Sequence, residues 1–364
     1  MEIVKFNLQP SFFQEKERKI VESRELEAIL FRFSTGVCGV RISNSEGFIE
    51  MLPYQGQQIW KAHFQGHDLQ MKQPAAEPVD TIDFLKNFGC FMLHCGILRV
   101  GAPTAGDPHL LHGELPNAPY REAWIIYGED ERGRYLSMGG KYPQQQFFGA
   151  YYSAEPEVRL YEGSTMPVIT MKVKNLSGMP MELMYLCHIN FAPVDGSHLE
   201  YSAKYTAESI RPRTTIPSHL KPDPGYVQFI NDLKAKPELH HQITRELRAD
   251  PEIVFYIDYM ADDEGKCHTL QVHPNGSSDY VCHRKNQLKK AVRWISRTPD
   301  HDAIAIVEPG TCEVDGYVME KEKGNLVILN PGEEYHCEIE AGSLDANQTD
   351  KILGKIREMT TFHP

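Results

Sequence analysis

The chain has 364 residues, with 38 Lys plus Arg and 50 Asp plus Glu, which gives a formal net charge of −12. Hydrophobic residues make up 41% and charged residues 24%, a composition that excludes extended disorder and predicts a folded protein with a sizeable core. The acidic balance argues against nucleic acids and anionic membranes as partners, because both are bound through basic surfaces.

The N-terminal segment lacks the basic start and apolar core of a secretory signal, and no apolar run reaches the ~18 residues of a membrane span. The eight cysteines are scattered and contain no C-x-x-C pair. We therefore expect a cytoplasmic protein whose cysteines are free thiols.

Most of the chain is a succession of short β-rich segments between turns, which is typical of an all-β sandwich or barrel. In chain order, we predict strands within 36–43, 47–66 (two), 121–140 (a hairpin), 158–191 (three), 252–274 (a second hairpin), 301–310 and 316–340. Helices are predicted at 81–88, at 228–248 with Pro237 dividing it, and at 349–359. The most economical interpretation is one large antiparallel β-sandwich domain over 1–364.

The usual cofactor and metal motifs are absent from the sequence. It contains no G-x-G-x-x-G, phosphate loop, G-x-S-x-G or H-E-x-x-H, which argues against nucleotide-dependent enzymes, serine hydrolases and zinc proteases. Cys90, His94 and Cys95 do not have zinc-site spacing and are expected on a buried strand. His240 and His241 are expected at the surface. We expect neither a metal nor a cofactor.

Three polar residues occupy positions in the predicted fold at which a catalytic role is plausible. His112 precedes Gly113 in a Pro-rich loop and can project into a cleft. His188 continues the strand face of Met184 and Leu186, although such a histidine is more often a hydrogen-bonded core residue. Glu308 ends an apolar strand, where a carboxylate is costly to desolvate and is therefore often paired or functional.

In this order and spacing, the three segments resemble the galactose mutarotase (aldose 1-epimerase) superfamily, and most of all its DUF4432 branch. The resemblance covers about 35 to 340. It is carried by L-H-C-G-I-L-R-V-G (93–101), L-H-G-E-L-P-N-A-P (111–119), H-I-N-F (188–191) and E-P-G-T (308–311). The branch usually has Asp-Arg-Gly in its early strands, where this chain has Tyr54-Gln55-Gly56.

The resemblance implies a large β-sandwich of the galactose mutarotase type with a few short helices, and interconversion of the α and β anomers of a free sugar. Glu308 would take the proton from the anomeric hydroxyl, and His188 would protonate the ring oxygen. His112 would hydrogen-bond the ring oxygen or a neighbouring hydroxyl. A protonated His188 beside an ionised Glu308 is expected to have its charged form favoured.

The resemblance also implies substrate contacts from Arg99, Asn117, Gln58 and Asp258. Three of them have a plainer alternative: Arg99 a surface salt bridge, Asn117 a loop-shaping role, and Asp258 a position on the solvent side of its strand. The three tryptophans could stack on a sugar, but large aromatic residues are more often core residues; they are Trp60, Trp124 and Trp294.

Two other functional classes remain open at this point. One is a non-catalytic carbohydrate-binding or sensor protein with the same fold, which would not need an acid–base pair. The other is an isomerase or lyase that acts on a modified sugar, such as a deoxy sugar or a uronate. In each case the expected partner is a small monosaccharide, and the expected state is a monomer or a homodimer.

Overall fold

The computed structural model describes residues 3–104, 106–216, 224–247 and 249–361. Within these residues the strands are β1 Val4–Asn7, β2 Arg18–Ser23, β3 Leu26–Arg32, β4 Cys38–Asn44, β5 Gly47–Met51, β6 Ile59–Phe64, β7 His67–Asp68, β8 Met92–Ile97, β9 Glu122–Asp130, β10 Gly133–Gln145, β11 Tyr151–Tyr161, β12 Val168–Asn175, β13 Met181–Ile189, β14 His198–Tyr201, β15 Ile210–Pro212, β16 Ile253–Ile257, β17 Lys266–Val272, β18 Ser278–Arg284, β19 Lys290–Arg297, β20 Asp302–Gly310, β21 Val327–Leu329 and β22 Glu334–Leu344. The helices are α1 Pro224–Ala235, α2 Tyr317–Glu322 and α3 Ala346–Thr361, with short 3-10 turns at Pro10–Phe12, Phe84–Lys86 and Pro237–His240.

The described strands form two large antiparallel sheets. One has nine strands in the order β1-β9-β10-β11-β12-β22-β18-β17-β14. The other has thirteen, in the order β15-β16-β19-β20-β13-β8-β6-β5-β4-β3-β2, with β21 beside β13 and β7 beside β6. The predicted antiparallel β-sandwich with a few short helices is therefore confirmed.

Apolar side chains from both sheets meet in one core. Ile42 and Ile49 of the thirteen-stranded sheet belong to the same buried cluster as Leu136, Ile169 and Val281 of the nine-stranded sheet. Burial of this apolar area provides the main driving force for the packing of two sheets.

Strand β13 is buried on both faces, which explains its continuous apolar sequence. Leu183, Tyr185 and Cys187 point into the core between the sheets, whereas Met184 and Leu186 belong to a second apolar cluster. Because successive side chains of a strand alternate between faces, this second cluster covers the opposite face of the thirteen-stranded sheet. The predicted alternation along this strand is confirmed.

The helix predictions are confirmed in part. Helix α3 includes the predicted 349–359, and its Ile356 packs against a small cluster that includes Leu270 and Val272. Helix α1 ends at Ala235, before the predicted break at Pro237, and only a short 3-10 turn follows. The segment 81–88 contains a single 3-10 turn, with the Asp83 side chain accepting from the backbone N–H of Leu85.

Three sequence-based expectations are wrong. The segment 252–274 is not a hairpin, because β16 pairs with β15 and β19 in one sheet, while β17 pairs with β14 and β18 in the other. The segment 316–340 begins with helix α2 rather than a strand. His240 is fully buried, and its Nε2 lies 2.8 Å from Nη1 of Arg293.

No helix in the described part of the chain is both long enough and apolar enough to cross a membrane.

Candidate active site

The antiparallel register of β13 and β20 places His188 beside Glu308. Leu186 pairs with Gly310, and because the strands are antiparallel, His188, two residues after Leu186, lies opposite Glu308, two residues before Gly310, on the same side of the sheet. His188 Nε2 lies 3.1 Å from Glu308 Oε1. Both side chains are almost fully buried, with 4% and 2% of their surface exposed. Two residues 120 positions apart in sequence thus form one acid–base pair.

Burial moves both members of this pair toward their neutral forms. Desolvation raises the pKa of the Glu308 carboxyl well above its ordinary value; Glu252 raises it further, and Arg213 opposes the rise. Desolvation lowers the pKa of His188 well below its ordinary value, and the neighbouring His112 adds to this effect. The buried environment therefore does not favour the charged pair that the sequence led us to expect.

The neutral pair and the charged pair contain the same number of protons. A carboxylic acid beside an imidazole differs from a carboxylate beside an imidazolium only in which group holds one proton. Within the described residues, Glu308 Oε1 accepts no hydrogen bond of regular geometry. A buried carboxyl oxygen without such a partner is costly, and a ligand hydroxyl would provide one.

Asn190 is a second buried polar residue beside His188. It is fully buried, and its Nδ2 donates to the carbonyl oxygen of Cys90 at 3.0 Å. Its side chain lies on the same strand face as His188, and its amide opposes the fall in the pKa of His188. Among the described residues, however, neither His188 Nδ1 nor Asn190 Oδ1 makes a hydrogen bond of regular geometry. Asn190 therefore favours the protonated form of His188 without fixing the ring.

His112 reaches the pair from a tight loop. Its backbone has a φ of +58°, its N–H donates to Gly101 O at 3.0 Å, and its carbonyl oxygen accepts from Gly96 N at 3.0 Å. The next residue must be glycine, because Gly113 has a φ of +86° and a Cβ there would lie 2.1 Å from Arg99 O. The ring centroid of His112 lies 5.8 Å from that of His188. The structure thus brings together all three predicted catalytic residues.

Aromatic rings surround the histidines. Phe84 stacks on His112 with centroids 5.0 Å apart. Phe88 and Trp294 approach His188 edge to face, with centroids 5.1 and 5.5 Å away. Of the three tryptophans, Trp294 alone lines the cavity; Trp60 lies in the second apolar cluster, and Trp124 lies under the ammonium of Lys5 on the nine-stranded sheet.

The acid–base pair and His112 line one cavity of about 220 Å³. This is below the ~300–1,000 Å³ common for drug-sized ligands, and suits a compact one. The described lining residues are Phe84, Leu85, Phe88, Gly101, Ala102, Leu111, His112, His188, Arg213, Pro251, Glu252, Val254, Val292, Trp294, Ser296, Thr298, His301, Glu308 and Val314.

A charged pair stands at the side of this cavity. Arg213 Nη2 contacts Glu252 Oε1, and the other carboxylate oxygen of Glu252 accepts from the indole N–H of Trp294 at 2.7 Å. Glu252 therefore fixes the orientation of Trp294 while it neutralises Arg213. Sequence reasoning missed both charged residues, as well as Phe84 and Phe88.

The four predicted substrate-binding residues do not line the cavity. Arg99 binds Asp107 through its Nε at 2.8 Å and stacks on Tyr317, so it holds the 101–111 loop. Asp258 binds Arg211, with 58% of its side chain exposed. The plainer alternatives given for these two residues are therefore what the structure shows: Arg99 forms a salt bridge, and Asp258 lies on the solvent side.

Asn117 and Gln58 belong to a buried network of amides. Asn117 Oδ1 accepts from the side chains of Gln55, Gln58 and Asn87, each at 3.0 Å. Asn87 also accepts from Val79 N. Since this network holds the loop that carries Phe84 and Phe88, Asn117 and Gln58 support the cavity wall from behind.

One group of acidic side chains in the described residues is close enough to share a metal ion. Glu313, Asp315 and Glu320 lie within ligand distance of one another, and the ammonium of Lys323 lies among them at 2.6, 2.6 and 3.0 Å. His94 lies on the buried strand β8, and its Nδ1 is 2.8 Å from the hydroxyl of Tyr185.

Comparison with known proteins identifies both family and fold. The family model for DUF4432, a domain of unknown function, matches residues 34–342. A crystal structure of a proposed aldose 1-epimerase from Klebsiella pneumoniae is similar over 99% of this chain and 96% of its own, with a TM-score of 0.83 and 18% identity.

Two further solved structures share the fold at lower similarity. A galactose mutarotase-like protein from Clostridium acetobutylicum has a TM-score of 0.60 at 14% identity, covering 89% of this chain and 100% of its own. A galactose 1-epimerase from Lactobacillus acidophilus has a TM-score of 0.54 at 13% identity, covering 90% and 98%. No curated protein matches the chain in sequence.

Proposed function

The chain belongs to the DUF4432 family, and from this premise we propose that it is an aldose 1-epimerase that interconverts the α and β anomers of a free monosaccharide. The observation that carries the proposal is the 3.1 Å contact between His188 Nε2 and Glu308 Oε1 in a ligand-sized cavity. The galactose mutarotase-like fold supports it as an analogy of architecture.

Anomer exchange needs one proton donor and one proton acceptor on the same hemiacetal. With the proton on His188, Glu308 takes the proton of the anomeric hydroxyl while His188 donates to the ring oxygen, and the C1–O5 bond breaks. The sugar is then the open aldehyde, and the enzyme pair is a carboxylic acid beside a neutral imidazole. Rotation about C1–C2 and the reverse transfers give the other anomer.

The neutral pair favoured by burial is therefore the enzyme state that accompanies the open-chain sugar. General acid and general base catalysis typically contribute ~10²–10⁴-fold. His112 would hold the ring oxygen or a neighbouring hydroxyl, so that the sugar is positioned before the proton moves.

A carbohydrate-binding protein without catalysis would have little use for this pair. Burying a carboxyl oxygen that lacks a regular hydrogen bond costs about 1–3 kcal/mol. A binder could avoid this cost with neutral amide groups. The predicted single domain over 1–364 stays part of the proposal, as does a soluble cytoplasmic location.

Exchange NMR on free sugars tests the proposal, with spontaneous mutarotation subtracted at each pH. We expect the wild-type protein to accelerate exchange for at least one aldose, and His188→Asn and Glu308→Gln to lower the enzymatic rate about 10²-fold or more. The exposed His336→Asn serves as the matched control and should keep full activity. The assignment is wrong if both site variants keep full activity, or if the protein accelerates anomer exchange for no aldose.

A further inference from the structure

The walls of the active-site cavity are apolar away from its acid–base pair. Phe88 and Trp294 flank His188, and Val292 lies directly opposite Glu308 in the pairing of β19 with β20. The remaining apolar wall residues are Phe84, Leu85, Leu111, Val254 and Val314. None of these side chains except Trp294 carries a polar atom, and the Trp294 N–H already donates to Glu252.

Three further polar lining residues, Ser296, Thr298 and His301, bond to one another or to the backbone. Ser296 Oγ contacts Pro251 O at 2.6 Å and His301 Nε2 at 2.7 Å. Thr298 Oγ1 lies 3.1 Å from His301 Nδ1. Hydroxyls of a bound sugar that face these walls would give up water without gaining a partner, which costs affinity.

We propose that the substrate is a 6-deoxyhexose, in which a methyl group replaces the usual hydroxymethyl group at C5; this rests on the proposed epimerase function. The mechanism fixes where that group lies. His188 must reach the ring oxygen, and C6 is only two bonds from that oxygen. C6 therefore lies next to the groups that surround His188, which are the rings of Phe88 and Trp294.

A methyl group fits this wall better than a hydroxymethyl group. It buries apolar surface against the rings, whereas a C6 hydroxyl would face Phe88 and Trp294, which offer no polar atom other than the Trp294 N–H already bound to Glu252. An apolar pocket rejects an added hydroxyl by about 10²-fold, which sets the size of the expected preference.

The charges of the cavity exclude the other modified sugars considered above. The Arg213 guanidinium is the natural group to bind a carboxylate or sulfonate, but Glu252 already neutralises it. Glu252 is in turn held by Trp294, so an acidic sugar would bring a second negative charge to an occupied cation. A neutral substrate follows from this arrangement.

Matched sugar pairs test the assignment: 6-deoxy-D-galactose with D-galactose, 6-deoxy-D-glucose with D-glucose, and L-rhamnose with L-mannose. Anomer exchange is measured by NMR for each. In at least one pair we expect kcat/KM for the 6-deoxy sugar to be about 10- to 100-fold higher. If the 6-hydroxy sugar is turned over at least as well in every active pair, the 6-deoxy assignment is overturned and the epimerase function stands. If none of the six sugars exchanges faster while another aldose does, the 6-deoxy assignment alone is overturned; if no aldose exchanges faster, the epimerase function is overturned as well.

A variant tests the position of C6. Phe88→Leu removes a ring beside His188 and leaves room there for water that can bind a C6 hydroxyl, so the 6-deoxy preference should fall several-fold. Phe91→Leu makes the same change in the core between the sheets, and should affect stability without affecting the preference. An unchanged preference in Phe88→Leu, with the protein folded, would overturn the placement of C6 against this wall.

Discussion

The His188 imidazole and the Glu308 carboxyl meet at 3.1 Å with 4% and 2% of their side-chain surfaces exposed. Their pKa values are shifted in opposite directions by the same cause, desolvation. Over the pH range between those two shifted values, the pair as a unit holds a single proton. We expect both the stability of the protein and its proposed chemistry to depend on that shared proton.

Glu308→Gln should stabilise the protein, increasingly so as the pH rises. The pKa of Glu308 is raised on folding, so its contribution to stability is fully present below the unfolded value of about 4.3 and is lost as the pH rises toward the folded value. The loss is about 1.4 kcal/mol per pH unit within that window. Because glutamine does not titrate, the variant does not undergo this loss of stability.

Thermal unfolding from pH 4 to 8 measures this difference. We expect the variant to gain on the order of 1–3 kcal/mol over the wild type by pH 8, and little at pH 4. Glu15→Gln, at an exposed position, should show no such trend. A wild type that stays the more stable protein at pH 8 would contradict the raised pKa of Glu308.

The rate of anomer exchange should stay level as the pH falls through 6.5, the ordinary pKa of histidine. Because the pKa of His188 is lowered well below that value, the pair does not take up a second proton there. The measurement is kcat/KM by exchange NMR between pH 5 and 8. A fall centred near 6.5 would mean that the acid–base histidine is a solvent-exposed one.

The three residues at the centre of this site were predicted through the resemblance of their segments to the galactose mutarotase superfamily, and local patterns support their placement. Alternation along 183–190 puts His188 on the same face as Met184 and Leu186, and the apolar run before Glu308 marks its strand as buried. The Leu-His-Gly segment identifies a turn, and the structure shows why: Gly113 has no room for a side chain. These local patterns can be recognised in the sequence without knowledge of the tertiary structure.

The cavity walls could not be predicted in the same way. The sequence predicted a helix at 81–88, but Phe84 begins a single 3-10 turn and Phe88 follows it, so helical periodicity does not show which way they point. Glu252 and Arg213 reach the cavity only because β15 and β16 pair next to β19, a pairing that joins distant parts of the chain. The position of Asn117 outside the cavity lining could not be predicted either, since a buried amide that holds a loop looks the same in sequence as one that binds a sugar.

Asn190→Leu should lower kcat more than it raises KM. The variant removes the amide that favours the protonated form of His188, while the groups that would contact the sugar remain. It also leaves Cys90 O without a donor, at a cost of about 1–3 kcal/mol. Steady-state exchange kinetics, with thermal unfolding in parallel, separate the two effects.

Asn175→Leu is the matched control for that stability loss. Asn175 is also fully buried, and its Nδ2 donates to two backbone carbonyls, but it lies outside the cavity. The control should be destabilised to a similar degree while keeping its kcat. Equal losses of kcat in both variants would show that Asn190 acts only through stability.

Gly113→Ala should be far more damaging than the same change at Gly163. Both residues have a positive φ, +86° and +65°, so both substitutions incur the cost of about 1–2 kcal/mol for a left-handed alanine. At Gly163 nothing lies within 4 Å of the new Cβ, whereas at Gly113 the backbone oxygen of Arg99 lies at 2.1 Å. The His112 loop must therefore move to accept the methyl group. We expect Gly163→Ala to lower the free energy of unfolding by that amount and to keep its activity. Gly113→Ala should lose more stability and most of its exchange rate, and equal behaviour of the two variants would contradict this account of the Leu-His-Gly turn.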